Sequence, residues 1–444
     1  MFATMDFGLL AGLVIVGIIA HVALFIIARR VNLLFLLSAA YFVVAPLSAA
    51  PKLPLVGGLK YVRVYLTLLT IVLGFFVARI YMLRPAGAVF LTFATMYACA
   101  GLYSELPMAA LKYKGLWVVT VLAGLMTGYS VTDSRTFITR CLRVVMLATA
   151  AFTAFMILRL VTDPGALNRI GRFMPWDLNP NRLGQTVAPM SIFTTYILLY
   201  DRSRLWKLLA AGTLFFLAVL ILYCGSRGAA GYAVVGCTIL GMPVVKRPGL
   251  LVTLAIGAAV AGYAMFQIFD IGTTERLGTV TLETREEVWN KAWNHFIESP
   301  LVGKGWIFQY EASLEGSTAN MHSIYFQTAA ETGIAGILAL LLTLTFIGFR
   351  CLRLWRFALS SRYEIPMAHL SLAIIAAVFA HGLFESGSFT GANLGAVVLG
   401  IGLSLLDRIP ELYRNDLAAW EAYQRQVAEA EAESHGEFEP AAGA

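Results

Sequence analysis

The chain has 444 residues, of which 59% are hydrophobic and only 13% carry a formal charge. A soluble globular protein is about half apolar with roughly a quarter of its residues charged, so this composition excludes that class and indicates an integral membrane protein. The net charge of +7 invites a nucleic-acid interpretation, but the basic residues stand at the ends of apolar runs, which is the pattern that membrane topology produces.

Apolar runs that are each able to cross a bilayer as a helix follow one another along most of the chain. They lie at residues 8–28, 31–50, 64–83, 86–104, 115–132, 144–162, 185–200, 207–223, 229–245, 249–269, 328–349, 367–386 and 391–406. The first run has no basic region before it and no cleavage site, so it is interpreted as a retained span rather than a signal peptide. The expected fold is an all-α polytopic membrane protein with about 12 (12–13) transmembrane helices, since only Arg29 and Arg30 separate the first two runs.

Basic residues cluster at one set of alternating connections, around residues 135–143, 202–207, 246–247 and 350–362. By the positive-inside rule these connections face the cytoplasm. The loops at residues 163–184, 225–228, 270–327 and 387–390 then share the opposite face. The chain accordingly divides into residues 1–269 with transmembrane helices 1–10, a large extracytoplasmic loop with an amphipathic helix at 270–327, the C-terminal transmembrane helices at 328–408, and a cytoplasmic tail at 409–444. The tail is expected to be helical over 416–433 and disordered beyond 434.

The first long loop, residues 163–184, contains several basic side chains and the turn sequence Asn-Pro-Asn-Arg. Arg169 and Arg172 are interpreted as parts of a solvated connector. Because Asn-Pro starts turns, Asn181 and Arg182 lie at the mouth of the following apolar run and are better candidates for holding a ligand.

Arg227 stands in a short Gly-Ser-Arg-Gly turn between two apolar runs. An ionisable side chain at membrane depth is costly and usually functional. The flanking glycines allow close backbone approach, and Ser226 adds a hydrogen-bond donor. A phosphate group suits this turn better than a carboxylate side chain does, because no acidic residue lies nearby in the sequence.

The longest polar interruption, residues 270–327, contains a helix signal. Thr284 and the glutamate three residues later form a capping box. Trp289 and Trp293 belong to an apolar stripe at helical spacing, and Arg285 lies on the same side of that helix. An arginine on that side needs an anion, although it could instead reach lipid headgroups or pair with a nearby glutamate.

His322 lies just before the next apolar run, where a histidine is by default a hydrogen-bonded boundary residue, so a catalytic role depends on the neighbouring motifs. Gln327 and Glu331 are candidates for substrate contact. Glu331 is expected chiefly to orient the helix that follows His322, and a hydrogen bond to a sugar is left open. His381 and Glu385, one helical turn apart, are interpreted as a buried helix–helix hydrogen-bonding pair and not as a metal site.

Together these motifs resemble the O-antigen ligase and polymerase superfamily of bacterial envelope assembly. The motifs are Ser226-Arg227-Gly228, Arg285 with Trp289 and Trp293, Pro300-x-x-Gly303-x-Gly305, His322-Ser323-x-Tyr325 and Glu331-x-Gly333-x-x-Gly336. The resemblance implies a polytopic glycosyltransferase of the bacterial inner membrane, with a GT-C-like helical fold, an active site facing the periplasm, and no metal or cofactor. The family usually has Asn after the histidine, whereas Ser323 stands here.

The resemblance further implies a metal-independent, inverting transfer of O-antigen polysaccharide from undecaprenyl pyrophosphate to lipid A-core. Arg227 and Arg285 would bind the donor pyrophosphate, and His322 would be the catalytic base. Alternatives within the superfamily are an O-antigen polymerase and a protein O-oligosaccharyltransferase. A polyprenyl-lipid transporter is less favoured, because its charged groups would line a path across the membrane. Membrane lipids are expected partners and nucleic acids are not.

Overall fold

The computed structural model describes residues 33–53, 56–76, 83–131, 136–167, 171–243, 283–306, 323–360, 365–383, 385 and 393–436. Almost all of these residues are helical. The helices are α1 (Leu33–Leu47), α2 (Val56–Phe76), α3 (Pro85–Cys99), α4 (Pro107–Tyr129), α5 (Thr136–Thr162), α6 (Pro180–Tyr200), α7 (Arg204–Cys224), α8 (Arg227–Gly241), α9 (Glu283–Glu298), α10 (Ile324–Ser360), α11 (Pro366–Gly382) and α12 (Leu394–Gly436). The predicted all-α architecture is confirmed over this part of the chain.

Six of the described helices are long and apolar enough to cross a membrane. These spans are Gly57–Phe76, Pro85–Tyr103, Pro107–Tyr129, Thr139–Thr162, Arg204–Cys224 and Ile324–Leu359. Their outward faces carry large exposed apolar side chains such as Phe76, Leu158, Leu208 and Leu342. An apolar outer surface of this extent indicates a multi-pass membrane protein, because exposing so much apolar surface to water is unfavourable. The predicted runs 8–28 and 249–269 lie outside the described residues, so the count of 12 or 13 spans and the GT-C-like arrangement stay predictions.

Small residues bring α4 and α12 into close contact. A Cβ on Gly124 would collide with the carbonyl oxygen of Val397, and one on Gly400 would collide with the carbonyl oxygen of Val121. Close backbone approach at small residues is a common way to hold membrane helices together, since lipid supplies no hydrophobic drive for their association. This pair therefore forms a closely packed centre, and α1, α3, α6, α10 and α11 also pack against one or both of its helices.

Polar side chains cluster at one end of the bundle, which we call the basic end. There Asp407 of α12 accepts hydrogen bonds from the Ala86 N–H at the start of α3 (2.8 Å) and from Arg350 of α10 (2.7 Å). Arg143 of α5 binds both carboxylate oxygens of Asp201, at 2.6 and 2.7 Å, just after α6 ends. Two of the basic clusters predicted from the sequence, around Arg143 and around Arg350, thus lie where α3 begins and α6 ends.

The opposite end, which we call the loop end, is where α3, α5, α7 and α11 finish and where α4, α6 and α8 begin. Among the described residues, it contains residues 100–106, 163–167, 171–179 and 225–226, together with residues 299–306 and 379–383. The loops predicted at 163–184 and 225–228 do meet here, because the Phe173 N–H donates to the carbonyl oxygen of Tyr223 at 2.9 Å.

Several helix boundaries differ from the apolar runs, and two of them have a clear physical cause. α6 begins at Pro180, five residues before the run at 185, because Asn179 caps it and proline is favoured at the first helical position. α12 continues through Pro410 to Gly436, across the expected boundary at 408/409. An ion pair between Arg408 and Glu411, with a 3.1 Å N–O distance, spans the proline and supports the helix there.

Candidate functional site

The Gly-Ser-Arg-Gly turn forms the N-terminus of α8, and this N-terminus lies at the loop end. Gly225 adopts a left-handed conformation (φ 56°) after α7, and Ser226 caps α8, its Oγ accepting from the Ala229 N–H at 3.4 Å. Arg227 is the first residue of α8 and is partly exposed. A helix N-terminus presents backbone N–H groups and a partial positive charge, both of which favour an anion beside the guanidinium.

Arg172 holds the first long loop against this turn. Its Nε donates to the carbonyl oxygen of Cys224 at 2.7 Å, and its Nη2 donates to the side-chain oxygen of Asn181 at 2.6 Å. Only 7% of the residue is exposed, so the interpretation of Arg172 as part of a solvated connector is wrong. The buried guanidinium satisfies a carbonyl freed at the end of α7, and spacing in the sequence gave no sign of that. Arg169 lies outside the described residues.

The first turn of α6 lies directly against the first turn of α8. A Cβ on Gly184 would be 2.8 Å from the Cβ of Ala229 and 3.1 Å from that of Ser226, so only glycine permits this approach. Asn181 and Arg182 belong to the same turn of α6, and Arg182 is exposed. The structure therefore brings three of the predicted substrate-binding residues, Asn181, Arg182 and Ser226, to one location beside Arg227.

The end of α11 completes this location from the other side. Gly228 lies so close to it that a Cβ would be 2.9 Å from Cγ of Glu385 and 3.4 Å from the imidazole of His381. Both residues are buried. Gln185 of α6 donates to Glu385 at 3.4 Å. His381 and Glu385 thus face the Ser-Arg turn, a role that their spacing in the sequence did not reveal.

α9, which carries Arg285 in its first turn, packs on the beginning of α10. Trp289 stacks on Phe326 with a centroid distance of 5.1 Å, and Ala292 is buried beside Ala330. Trp293 is half exposed, so the predicted apolar stripe is only partly covered. The Arg285 side chain and the whole of His322 lie outside the described residues.

α10 is interrupted near its start. Gly333 has φ 62° and ψ −157°, which breaks the helix into a short part, Ile324–Thr332, that we call the proximal segment, and the long membrane span. The proximal segment also contacts α11, since the Tyr325 hydroxyl donates to the carbonyl oxygen of Phe379 at 3.3 Å.

Residues 300–305 fill this interruption and form what we call the clasp. The N–H groups of Lys304 and Gly305 donate to the carbonyl oxygens of Ala330 and Glu331, both at 3.0 Å, and Ile334 donates back to Pro300 at 2.7 Å. Unpaired backbone groups are costly away from water, so a broken membrane helix needs such partners. The glycine motifs at 303–305 and 333–336, which are separate in the sequence, are two halves of one structure.

Glu331 is anchored inside the bundle. Its Oε2 accepts from the Lys114 ammonium at 2.7 Å and from the Tyr97 hydroxyl, and its Oε1 accepts from the Gln327 amide at 3.1 Å. These contacts tie Glu331 to α3 and α4, while its predicted role in orienting the helix that follows His322 stays a prediction. Lys114 was missed because the apolar run predicted at 115–132 left it outside, whereas α4 begins at Pro107 and places it within a helix.

The described residues contain no candidate metal site, since no three or more of their His, Cys, Asp or Glu side chains lie together. The predicted metal independence stays a prediction. What the described site offers is a helix N-terminus with an arginine and a serine, flanked by amide and guanidinium groups on one side and by the buried Glu385 carboxylate on the other. The fold therefore brings to this turn an acidic side chain that is absent from the neighbouring sequence. Such a set can bind an oxyanion at the lipid–water boundary.

Comparison with known proteins finds that part of this multi-pass membrane protein is similar to a known family. Residues 212–341 match the model of a family described as O-antigen ligase, so the resemblance predicted from the motifs is confirmed over that segment. The matched segment includes Arg227, Arg285 and His322. A comparison with curated proteins found no match.

Proposed function

We propose that this protein is a metal-independent inverting glycosyltransferase that transfers O-antigen polysaccharide from undecaprenyl pyrophosphate to lipid A-core. The observation that carries the proposal is the family match over residues 212–341, because that family acts on lipid-linked polysaccharide and a lipid acceptor within a membrane. The enzyme would lie in the bacterial inner membrane with its loop end facing the periplasm.

The donor pyrophosphate would bind where α8 begins. Arg227 and the N-terminal N–H groups of α8 supply fixed positive charge, and Ser226 borders the same turn. Arg285 on α9 would add the second guanidinium. Two fixed cations stabilise the negative charge that develops on the leaving pyrophosphate, and such electrostatic stabilisation often contributes more to catalysis than any other effect. Asn181 and Arg182, on the adjoining turn of α6, would contact the donor on its exposed side.

His322 would act as the catalytic base. The oxygen of an acceptor sugar hydroxyl attacks the anomeric carbon, while the bond from that carbon to the pyrophosphate breaks and its electron pair stays on the phosphate oxygen. The hydroxyl proton passes to the imidazole. An unperturbed histidine pKa of about 6.5 suits a base that works close to neutral pH. A single displacement inverts the anomeric configuration.

Deletion of the gene, followed by gel analysis of lipopolysaccharide, tests the proposed function. We expect every ladder band of polymer-bearing lipopolysaccharide to disappear while lipid-linked polymer accumulates. A core carrying one repeat unit would instead identify a polymerase, and an unchanged ladder would overturn the proposal. EDTA should leave transfer unaffected.

Substitution of the site residues tests the mechanism. His322→Ala should lower turnover by about 10²–10⁴-fold, the usual contribution of a general base, with normal insertion into the membrane. Arg227→Ala and Arg285→Ala should abolish transfer. Arg202→Ala, an exposed arginine at the basic end, is the control and should keep wild-type turnover. Wild-type turnover in His322→Ala would show that another group takes the proton.

A further inference from the structure

Lys114 and Glu331 form an ion pair inside the bundle that the proposed chemistry does not use. Their N–O distance is 2.7 Å, and the two side chains are only 2% and 1% exposed. The Lys114 ammonium also lies 4.0 Å from the centre of the Tyr97 ring and 3.4 Å from that residue's carbonyl oxygen. An intramembrane charge pair is costly to bury and usually marks function.

Stability alone is a poor explanation for this pair. Removing two charges from water costs several kcal/mol per ion, and their attraction offsets that cost only with excellent geometry and further hydrogen bonds. Apolar replacements of similar volume are often as stable or more stable. An apolar contact is non-directional, whereas the Glu331 carboxylate accepts hydrogen bonds from Lys114, Tyr97 and Gln327. These bonds fix the position of the Glu331 side chain.

The part of the molecule that this anchor fixes is the proximal segment of α10. The interruption at Gly333 separates the proximal segment from the long span, so the span's helical hydrogen bonds do not hold it in place. Glu331 anchors its end, the clasp holds its last carbonyl groups, and the Trp289–Phe326 stack covers its beginning. Ser323, the residue before the segment, directly follows His322 in the sequence.

We propose that Lys114 is a positioning residue for the transfer reaction, acting through Glu331 and the proximal segment to set the place of His322. The inference rests on the proposed function, since it takes His322 to be the base. It assigns Gln327 and Glu331 to this support and not to direct contact with the sugar. A displacement on the order of 1 Å at a reacting group costs up to about 10²-fold in rate. A contact that holds the proximal segment in one place can therefore benefit the reaction even where it adds nothing to the stability of the fold.

The double variant Lys114→Met/Glu331→Gln tests the proposal, because it removes both charges and keeps an oxygen that can accept from Tyr97. We expect kcat of the purified enzyme to fall by about 10–100-fold while KM for the lipid-linked donor stays within about twofold. Wild-type kcat in a folded double variant would overturn the proposal. If the double variant fails to fold, Glu331→Asp takes its place. It keeps both charges and shortens the arm by one methylene, and a kcat equal to that of the wild type would again overturn the proposal.

A control comes from an ion pair at the basic end, Arg143 and Asp201, whose side chains are 27% and 0% exposed. Arg143→Met/Asp201→Asn should lower the melting temperature and leave kcat unchanged. An equal loss of kcat in this control would mean that any lost ion pair impairs the enzyme, which contradicts a positioning role for Lys114. Failure of the proposed function is distinguishable, because the wild-type enzyme would then show no transfer from the lipid-linked donor. Failure of the positioning role alone leaves the wild type active, His322→Ala impaired and the Lys114 variant fully active.

Discussion

Two arginines near the start of α6 have opposite surroundings. Arg172 is 7% exposed and donates to Cys224 and Asn181, whereas Arg182 lies on the exposed face of the helix. A buried guanidinium that satisfies a carbonyl at a helix end is part of the framework, while an exposed one beside a helix N-terminus is available to a ligand. The same residue type therefore serves two purposes at one location.

This contrast predicts different effects of the two alanine variants. Arg172→Ala should lower the free energy of unfolding by about 1.5–3 kcal/mol, because it removes charge-assisted hydrogen bonds and leaves the Cys224 carbonyl unpaired. Arg182→Ala should leave the melting temperature unchanged and raise KM for the donor. Thermal unfolding in detergent and transfer kinetics on both proteins measure these effects. A melting temperature lowered equally in both variants would contradict the assignment.

At the scale of the element, the interruption of α10 is the feature with the clearest cause. Gly333 has a positive φ, and a Cβ there would be 2.6 Å from the backbone of Leu301. Gly303 and Gly305, with φ of 69° each, allow the clasp to approach from the other side. These glycines are required by backbone contact, which explains why they occur as two separated motifs.

Gly333→Ala should therefore destabilise the protein by about 1–3 kcal/mol, the cost of a strained backbone, and lower transfer as the clasp shifts. Gly348→Ala in the same helix is the control, because nothing lies within 4 Å of a Cβ at that position. We expect it to be neutral or slightly stabilising, since alanine favours helix. Melting temperatures of the two variants decide the matter, and equal values would exclude strain at Gly333.

The whole molecule has two chemically distinct ends, and this predicts its orientation. In a variant without the five native cysteines, Leu106→Cys at the loop end should react with a membrane-impermeant maleimide in intact cells. Arg202→Cys at the basic end should react only after lysis. Both positions are exposed, so access is set by the side of the membrane. The reverse pattern would place the loop end in the cytoplasm and contradict a periplasmic active site.

Much of this architecture follows from local sequence. Apolar length predicts the spans, and the capping signals predict the helix that the structure begins at Glu283. The turn before Arg227 follows from its glycines. The Lys114–Glu331 pair joins residues 217 positions apart, and the clasp is made of backbone hydrogen bonds. Neither leaves a periodic pattern, so pattern-based reasoning could not find them. For His322 and the Arg285 side chain, the placement predicted from the sequence stays a prediction.

The clasp has a consequence for how such a protein tolerates change. Gly305 is held by its hydrogen bond to Glu331, and Ser323 lies next to the proximal segment, so the two described positions on either side of residues 307–322 are held by contacts outside that stretch. Closing a longer loop between fixed ends costs only about 0.6 kcal/mol for each doubling of its length. We therefore expect the protein to tolerate a change in the number of residues between 307 and 319 while the clasp and the long span keep their hydrogen bonds.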